Sequence, residues 1–129
     1  MKLLLKRGQR SATFSNKVIF ILELRAEISD EERANIQKYK LGNELLYVKN
    51  PMPNVDPNTV KGLGSMLWAH AMNITVSVND MVNGKKIECK DILEMLAAEE
   101  QIRDAARNFN QVLTAAAHFD GEEVINLAA

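Results

Sequence analysis

The stretch KVIFILELRAEI, residues 17–28, decides the predicted fold because its apolar residues recur with a period of two. The second face is apolar at Ile19 and Ile21 and charged from Glu23 onward. A period of two over this length fits a β-strand and not a helix. We predict a strand that begins inside a sheet and ends at a solvated rim. Its first face would carry Val18, Phe20, Leu22, Leu24, Ala26 and Ile28.

Helix start signals predict three helices around this strand. Ser29 and Glu32 have capping-box spacing, which predicts a helix over residues 30–40 with Gly42 as its stop. Asp56 followed by Pro57 predicts a second helix start. The apolar stripe of that helix would be Val60, Leu63, Gly64, Leu67, Trp68 and Ala71. A long third helix is predicted over residues 91–119, with Asp91 and Glu94 at capping-box spacing.

Short apolar runs elsewhere predict further strands. Asn83-Gly84 is a strong turn signal, and we expect residues 85–89 to form the second arm of that turn. The first ten residues carry bases without acids and the last ten carry acids without bases, so we expect the terminal strands to be neighbours. The additional strands are predicted at 2–7, 44–49, 73–78, 85–89 and 122–127.

The order of these elements predicts an α+β fold. We expect a mostly antiparallel sheet of about five to six short strands, packed against two shorter helices and one long C-terminal helix. The chain has 129 residues, which favours a single domain over residues 1–129.

Composition argues against several function classes. The formal net charge of −1 argues against a nucleic-acid partner, which usually requires a basic field. No run approaches the roughly 20 apolar residues of a membrane span, and the run at residues 3–5 is too short for a signal peptide. A single cysteine forms neither an intramolecular disulfide nor a cysteine-based zinc site. We therefore expect a cytoplasmic protein without membrane partners.

The lone cysteine, Cys89, is a weak candidate for catalysis. A thiol nucleophile needs a base or a positive environment, and Cys89 is flanked by Glu88 and Lys90, which are opposite in sign. The histidines, His70 and His118, are each expected near the C-terminal end of a helix. We favour the interpretation of Cys89 as a small buried side chain at the end of a strand.

Glu99 is the acid that most needs an explanation. It lies three residues after Leu96 and three before Ile102, on or beside the apolar stripe of the long helix. A carboxylate there must be paired, neutral or at an opening. Its partner would be a lysine or arginine from the sheet or from a second subunit. A role as general base or metal ligand is the functional alternative, and a structural role near the helix start is favoured.

The remaining residues give little support for a cofactor or metal site. No histidine or cysteine pair has metal-ligand spacing, and no glycine-rich phosphate motif is present. We therefore predict no cofactor and no metal, and we favour a protein that is not an enzyme. Lys6, Arg7 and Arg10 are candidates for a small anion-binding patch.

The long helix suggests assembly. A helix of about 28 residues is about 42 Å long, more than a small sheet covers. An overhang rich in alanine would favour contact with a second helix. Our first hypothesis is a protein–protein interaction or assembly module, homodimeric or bound to another protein. The alternatives are a small-ligand binding or sensing domain, with a pocket between the sheet and the long helix, and an enzyme that uses Glu99 with Cys89 or His70.

Overall fold

The computed structural model describes residues 1–12, 16–48, 73–119 and 124–126. The fold is mixed α and β, with five strands and three helices within these residues. In chain order they are β1 (Lys2–Ser11), β2 (Val18–Glu27), α1 (Asp30–Lys38), β3 (Leu45–Val48), β4 (Thr75–Ser77), α2 (Val78–Asn83), β5 (Lys85–Cys89) and α3 (Ile92–His118). None of these helices is long and apolar enough to cross a membrane.

The strand β2 is the centre of a three-stranded antiparallel sheet with the order β1-β2-β5. This confirms the strand predicted over residues 17–28. Leu22, Leu24 and Ala26 are buried on one face, whereas Ile19 and Ile21 on the other face are only half-buried. The alternation of side chains along β2 therefore defines an inner face toward the core and an outer face away from it.

The five described strands form two sheets, which corrects the prediction of one sheet. β3 and β4 pair with each other in a separate two-stranded antiparallel sheet. The turn signal before β5 is real, since Gly84 has a φ of 95°. It does not close a hairpin, however, because α2 lies between β4 and β5 and β5 pairs with β2. The local signal identified the turn but not the strands on either side of it.

Two further predicted elements lie wholly or partly outside the described residues. The second helix, predicted to begin after Asp56, lies outside them together with His70. Residues 124–126 are described and do not form a strand, which contradicts the predicted closing strand at those positions; residues 122, 123 and 127 lie outside. The expectation that the terminal strands are neighbours therefore has no support, because β1 pairs with β2 alone among the described strands.

Helix α1 begins at the predicted capping box. The Ser29 hydroxyl accepts from the amide of Glu32 at 3.1 Å, and the Glu32 carboxylate accepts from the amide of Ser29 at 2.9 Å. The helix ends at Lys38 and the chain reverses at Lys40, whose φ is 55°, and not at the predicted stop, Gly42. The Leu41 amide donates to the Ile36 carbonyl at 3.0 Å, so the helix closes with the bond of a Schellman motif.

Helix α3 begins at Asp91, whose side chain accepts from the amide of Glu94 at 2.7 Å. The Glu94 carboxylate accepts from the amide of Lys90 at 3.1 Å, one residue before the position a capping box uses. Ile92 and Leu96 are apolar but exposed. The residues that α3 buries are Met95, Ala97, Ala98, Glu99, Gln101, Ile102, Ala105, Ala106, Phe109, Leu113 and Ala116.

The packing of α3 differs from the predicted overhang. Buried residues extend from its first turn to Ala116, and the helix packs against α1, β2, β3 and β5 of its own chain. The space between β2 and α3 is filled by fully buried side chains such as Leu22, Ile102 and Phe109. The alanines thus serve close packing within the chain along most of the helix.

Candidate functional site

The ion pair between Arg7 and Glu99 joins β1 to α3. Leu3 and Leu5 pack against the core, and alternation places Arg7 on the same face of β1. Strand pairing sets Arg7 opposite Leu22, which in turn lies opposite Ile87. Arg7 thus stands in a row with two buried apolar side chains. From there its Nε donates to Oε1 of Glu99.

Glu99 lies where the sequence placed it, on the buried side of α3, with 5 % of its surface exposed. Its neighbours on the same helix, Ala98 and Ile102, are fully buried. The predicted partner from the sheet is present, since Arg7 supplies the positive charge. Half of the Arg7 side chain remains exposed to water. The contact therefore neutralises a buried carboxylate at the rim of the core.

Cys89 lies at the end of β5, opposite Phe20 on β2, and is 1 % exposed. Burial raises the pKa of the thiol to about 11, and the negative charges of Glu94, Asp91 and Glu99 contribute to this increase. The thiol is therefore protonated at neutral pH, which is the opposite of what a nucleophile requires.

The weak catalytic candidates are only partly brought together. Cys89 and Glu99 lie close enough for the Glu99 charge to act on the thiol. His118 is exposed at the far end of α3, away from this cluster, and His70 lies outside the described residues. Within the described ranges, no group of three or more histidine, cysteine, aspartate or glutamate side chains is placed to hold a metal ion.

The basic patch predicted from Lys6, Arg7 and Arg10 is divided by the sheet. Alternation places Arg7 on the inner face, and Lys6 and Arg10 on the outer face. Arg10 reaches across β2 and donates from Nη2 to Oε1 of Glu88 at 2.8 Å. Both arginines are thus paired with carboxylates, and the three side chains do not form one anion site.

Sequence reasoning missed an apolar cleft of about 410 Å³ at the C-terminal end of α3. Phe119 and Leu45 are its most exposed apolar members, at 70 % and 60 %. The Phe119 ring meets the Tyr39 ring edge-on, with 5.0 Å between centroids. We name this surface the apolar cleft; its lining is Tyr39, Leu41, Glu44, Leu45, Val112, Ala115, Ala116 and Phe119.

A weak signal for this cleft was present in the sequence. Leu45 and Leu46 are adjacent in β3, so only one of them can face the core, and the structure buries Leu46 and exposes Leu45. Sequence alone could not place Leu45 beside the end of α3, because the two lie far apart along the chain.

Comparison of the chain with protein-family models, curated proteins and solved structures gave no match.

Proposed function

We propose that this protein is a non-enzymatic interaction module that assembles as a homodimer through the apolar cleft. The observation that carries the proposal is the exposure of Phe119 and Leu45 beside a recess of about 410 Å³. Contiguous exposed apolar surface of this kind is typical of protein interaction sites. Aromatic anchors such as Phe119 commonly supply much of the binding free energy at such surfaces.

A second copy of the chain is the partner that fits this surface best. A two-fold interface uses the same patch on both subunits, so the patch must contain both a projection and a recess. The apolar cleft has both, because Phe119 and Leu45 project beside small residues, Ala115 and Ala116. Exposed Glu44 lines the cleft, and exposed Lys40 lies in the chain between two lining residues, Tyr39 and Leu41. Opposite charges on one patch allow pairing across a two-fold axis.

Two of the three residues considered for catalysis, Glu99 and Cys89, support a structural interpretation. Glu99 is occupied by the guanidinium of Arg7, and the pKa of the Cys89 thiol is raised to about 11. The protonated thiol is not prepared for nucleophilic attack at neutral pH, and the Glu99 carboxylate is held in an ion pair. The lone cysteine is also typical of a reducing compartment, so we include a cytoplasmic location in the proposal.

Light scattering after size exclusion tests this proposal on the full chain. We expect the wild type to have twice the mass of one chain, and Phe119→Glu and Leu45→Glu to have the mass of one chain. Ile92→Glu is the matched control, because Ile92 is 55 % exposed at the other end of α3. A wild type that is monomeric at every concentration, or a control that dissociates equally, would overturn the proposal.

A further inference from the structure

A second cleft of about 690 Å³ lies along β1, β2 and the beginning of β5, and residues of the outer face of this sheet, the face opposite α3, line it. Exposed Leu4, Lys6 and Arg25 line it, together with Glu23 of β2, Lys86 of β5 and Gly84 just before β5. Its size is within the range of sites that bind small molecules, about 300–1,000 Å³. The apolar cleft at the end of α3 shares none of these residues.

Strand register explains why the outer face is open at this point. Lys6, Glu23 and Lys86 form one row across the three strands. In the adjacent row Leu4 lies opposite Arg25, and the neighbour of Arg25 on the other side is Gly84. A Cβ at Gly84 would lie 4.0 Å from the Cβ of Arg25. The absence of a side chain at Gly84 leaves space beside the Arg25 side chain.

The charges around this outer-face cleft do not balance. Glu23 is paired with Lys86, with 3.6 Å between Oε1 and Nζ. Among the residues that the structure describes, no carboxylate pairs with Lys6 or Arg25. Lys6 lies directly opposite Glu23 and diagonal to Arg25, so this one carboxylate lies among the three outer-face cations of the cleft, Lys6, Arg25 and Lys86. A bound anion would reduce the remaining excess of positive charge.

We propose that the outer-face cleft binds a phosphate-bearing small molecule. Arg25 and Lys6 contact the phosphate, and the exposed side chain of Leu4 contacts an apolar part of the ligand. A phosphate carries up to two negative charges, which matches two unpaired cations better than one carboxylate does. The planar guanidinium of Arg25 also presents two parallel donors to phosphate oxygens. This site is independent of the proposed dimer interface.

Titration of the labelled protein with inorganic phosphate, followed by amide NMR at constant ionic strength, tests this inference. We expect saturable shifts at the amides of Arg25, Gly84 and Lys86. Arg25→Gln and Lys6→Gln should each weaken the apparent affinity roughly tenfold, since each removes a hydrogen bond between charged groups. Lys2→Gln is the matched control, because Lys2 lies on the same face of β1 but does not line the cleft.

Three results would overturn the inference. The first is the absence of saturation by phosphate. The second is equal weakening by Lys2→Gln and Arg25→Gln, which would indicate general attraction to a basic surface. The third is equal affinity for acetate, which would remove the assignment to phosphate. Unchanged dimer mass in Arg25→Gln, together with lost phosphate shifts, would show that the cleft acts separately from assembly, as proposed.

Discussion

Arg7 on β1 and Glu99 on α3 form an ion pair that spans 92 positions of sequence and fixes the long helix over the sheet. The carboxylate is almost fully buried, whereas half of the arginine side chain is in water. Such a pair lies between a surface salt bridge, which contributes little, and a fully buried one, whose disruption is costly. The loss of stability on breaking the pair depends mainly on which charge remains buried when one partner is removed.

Removal of Arg7 alone should destabilise the protein. In Arg7→Leu the Glu99 carboxylate stays buried without a cation, and we expect a loss of about 2 kcal/mol in the free energy of unfolding. This is below the cost for fully buried pairs because water reaches the Arg7 side of the site. Urea denaturation at neutral pH measures the change.

The double variant Arg7→Leu with Glu99→Leu is the control for this prediction. It removes both charges, so its stability should return to within about 1 kcal/mol of the wild type. Additive losses in the double variant would show that the two residues do not act as a pair.

Cys89 should make the stability of the protein depend on pH in the alkaline range. Its pKa is raised from an ordinary value of 9.0 to about 11, so the folded state favours the protonated thiol. The contribution is fully present below pH 9 and is lost as the pH rises from 9 to 11. Two pKa units correspond to at most about 3 kcal/mol. Cys89→Ala should therefore lose less stability than the wild type over this interval.

The difference between the two proteins isolates the thiol, since lysine and tyrosine side chains titrate in both. Chemical denaturation at several pH values, compared between wild type and Cys89→Ala, gives this difference. Parallel plots of stability against pH for the two proteins would contradict the conclusion that burial raises the pKa of the Cys89 thiol. Native Cys89 should also react slowly with iodoacetamide near neutral pH, because the thiol is both buried and protonated.

Gly42 and Gly8 should respond in opposite directions to substitution by alanine. A Cβ at Gly42 would lie 2.6 Å from Oδ1 of Asn79. The backbone amide of Asn79 donates to the Gly42 carbonyl at 2.9 Å. Gly42→Ala must displace the Asn79 side chain from Asn43 and should cost about 1 kcal/mol. Thermal denaturation measures both variants.

Gly8→Ala provides the contrast in this comparison. A Cβ at Gly8 meets no atom within 4 Å, so the substitution should stabilise β1 by about 0.5 kcal/mol through reduced chain entropy. Equal effects of the two substitutions would show that the contact between Gly42 and Asn79 is unimportant.

Local signals predicted much of the fold. The strand over residues 17–28, the capping box of α1 and the start of α3 at Asp91 depend on residues within a few positions of one another. Helical spacing also placed Glu99 on or beside the apolar stripe, and a cation from the sheet was one of the expectations for it. Alternation and capping are set by the geometry of one segment, which explains why these predictions are confirmed.

Predictions that depended on distant residues were less successful. The signal at Asn83-Gly84 predicted the turn but not the pairing of β5 with β2. Gly42 was predicted to end α1, but the chain reverses at Lys40. The three neighbouring bases near the N-terminus looked like one patch, yet the pleat of β1 separates them. In each case the outcome depended on which surface another segment occupied.

The sequence by itself determined the period-two strand at the centre of the larger sheet, the beginnings of α1 and α3 and the position of Glu99 on or beside the apolar stripe. Only the tertiary structure paired Glu99 with Arg7, divided the described strands into two sheets and formed the two clefts. The physical reason is the distance along the chain over which each feature is set. Backbone geometry fixes local periodicity and caps, whereas strand partners and surface recesses depend on how remote side chains fill the space between elements.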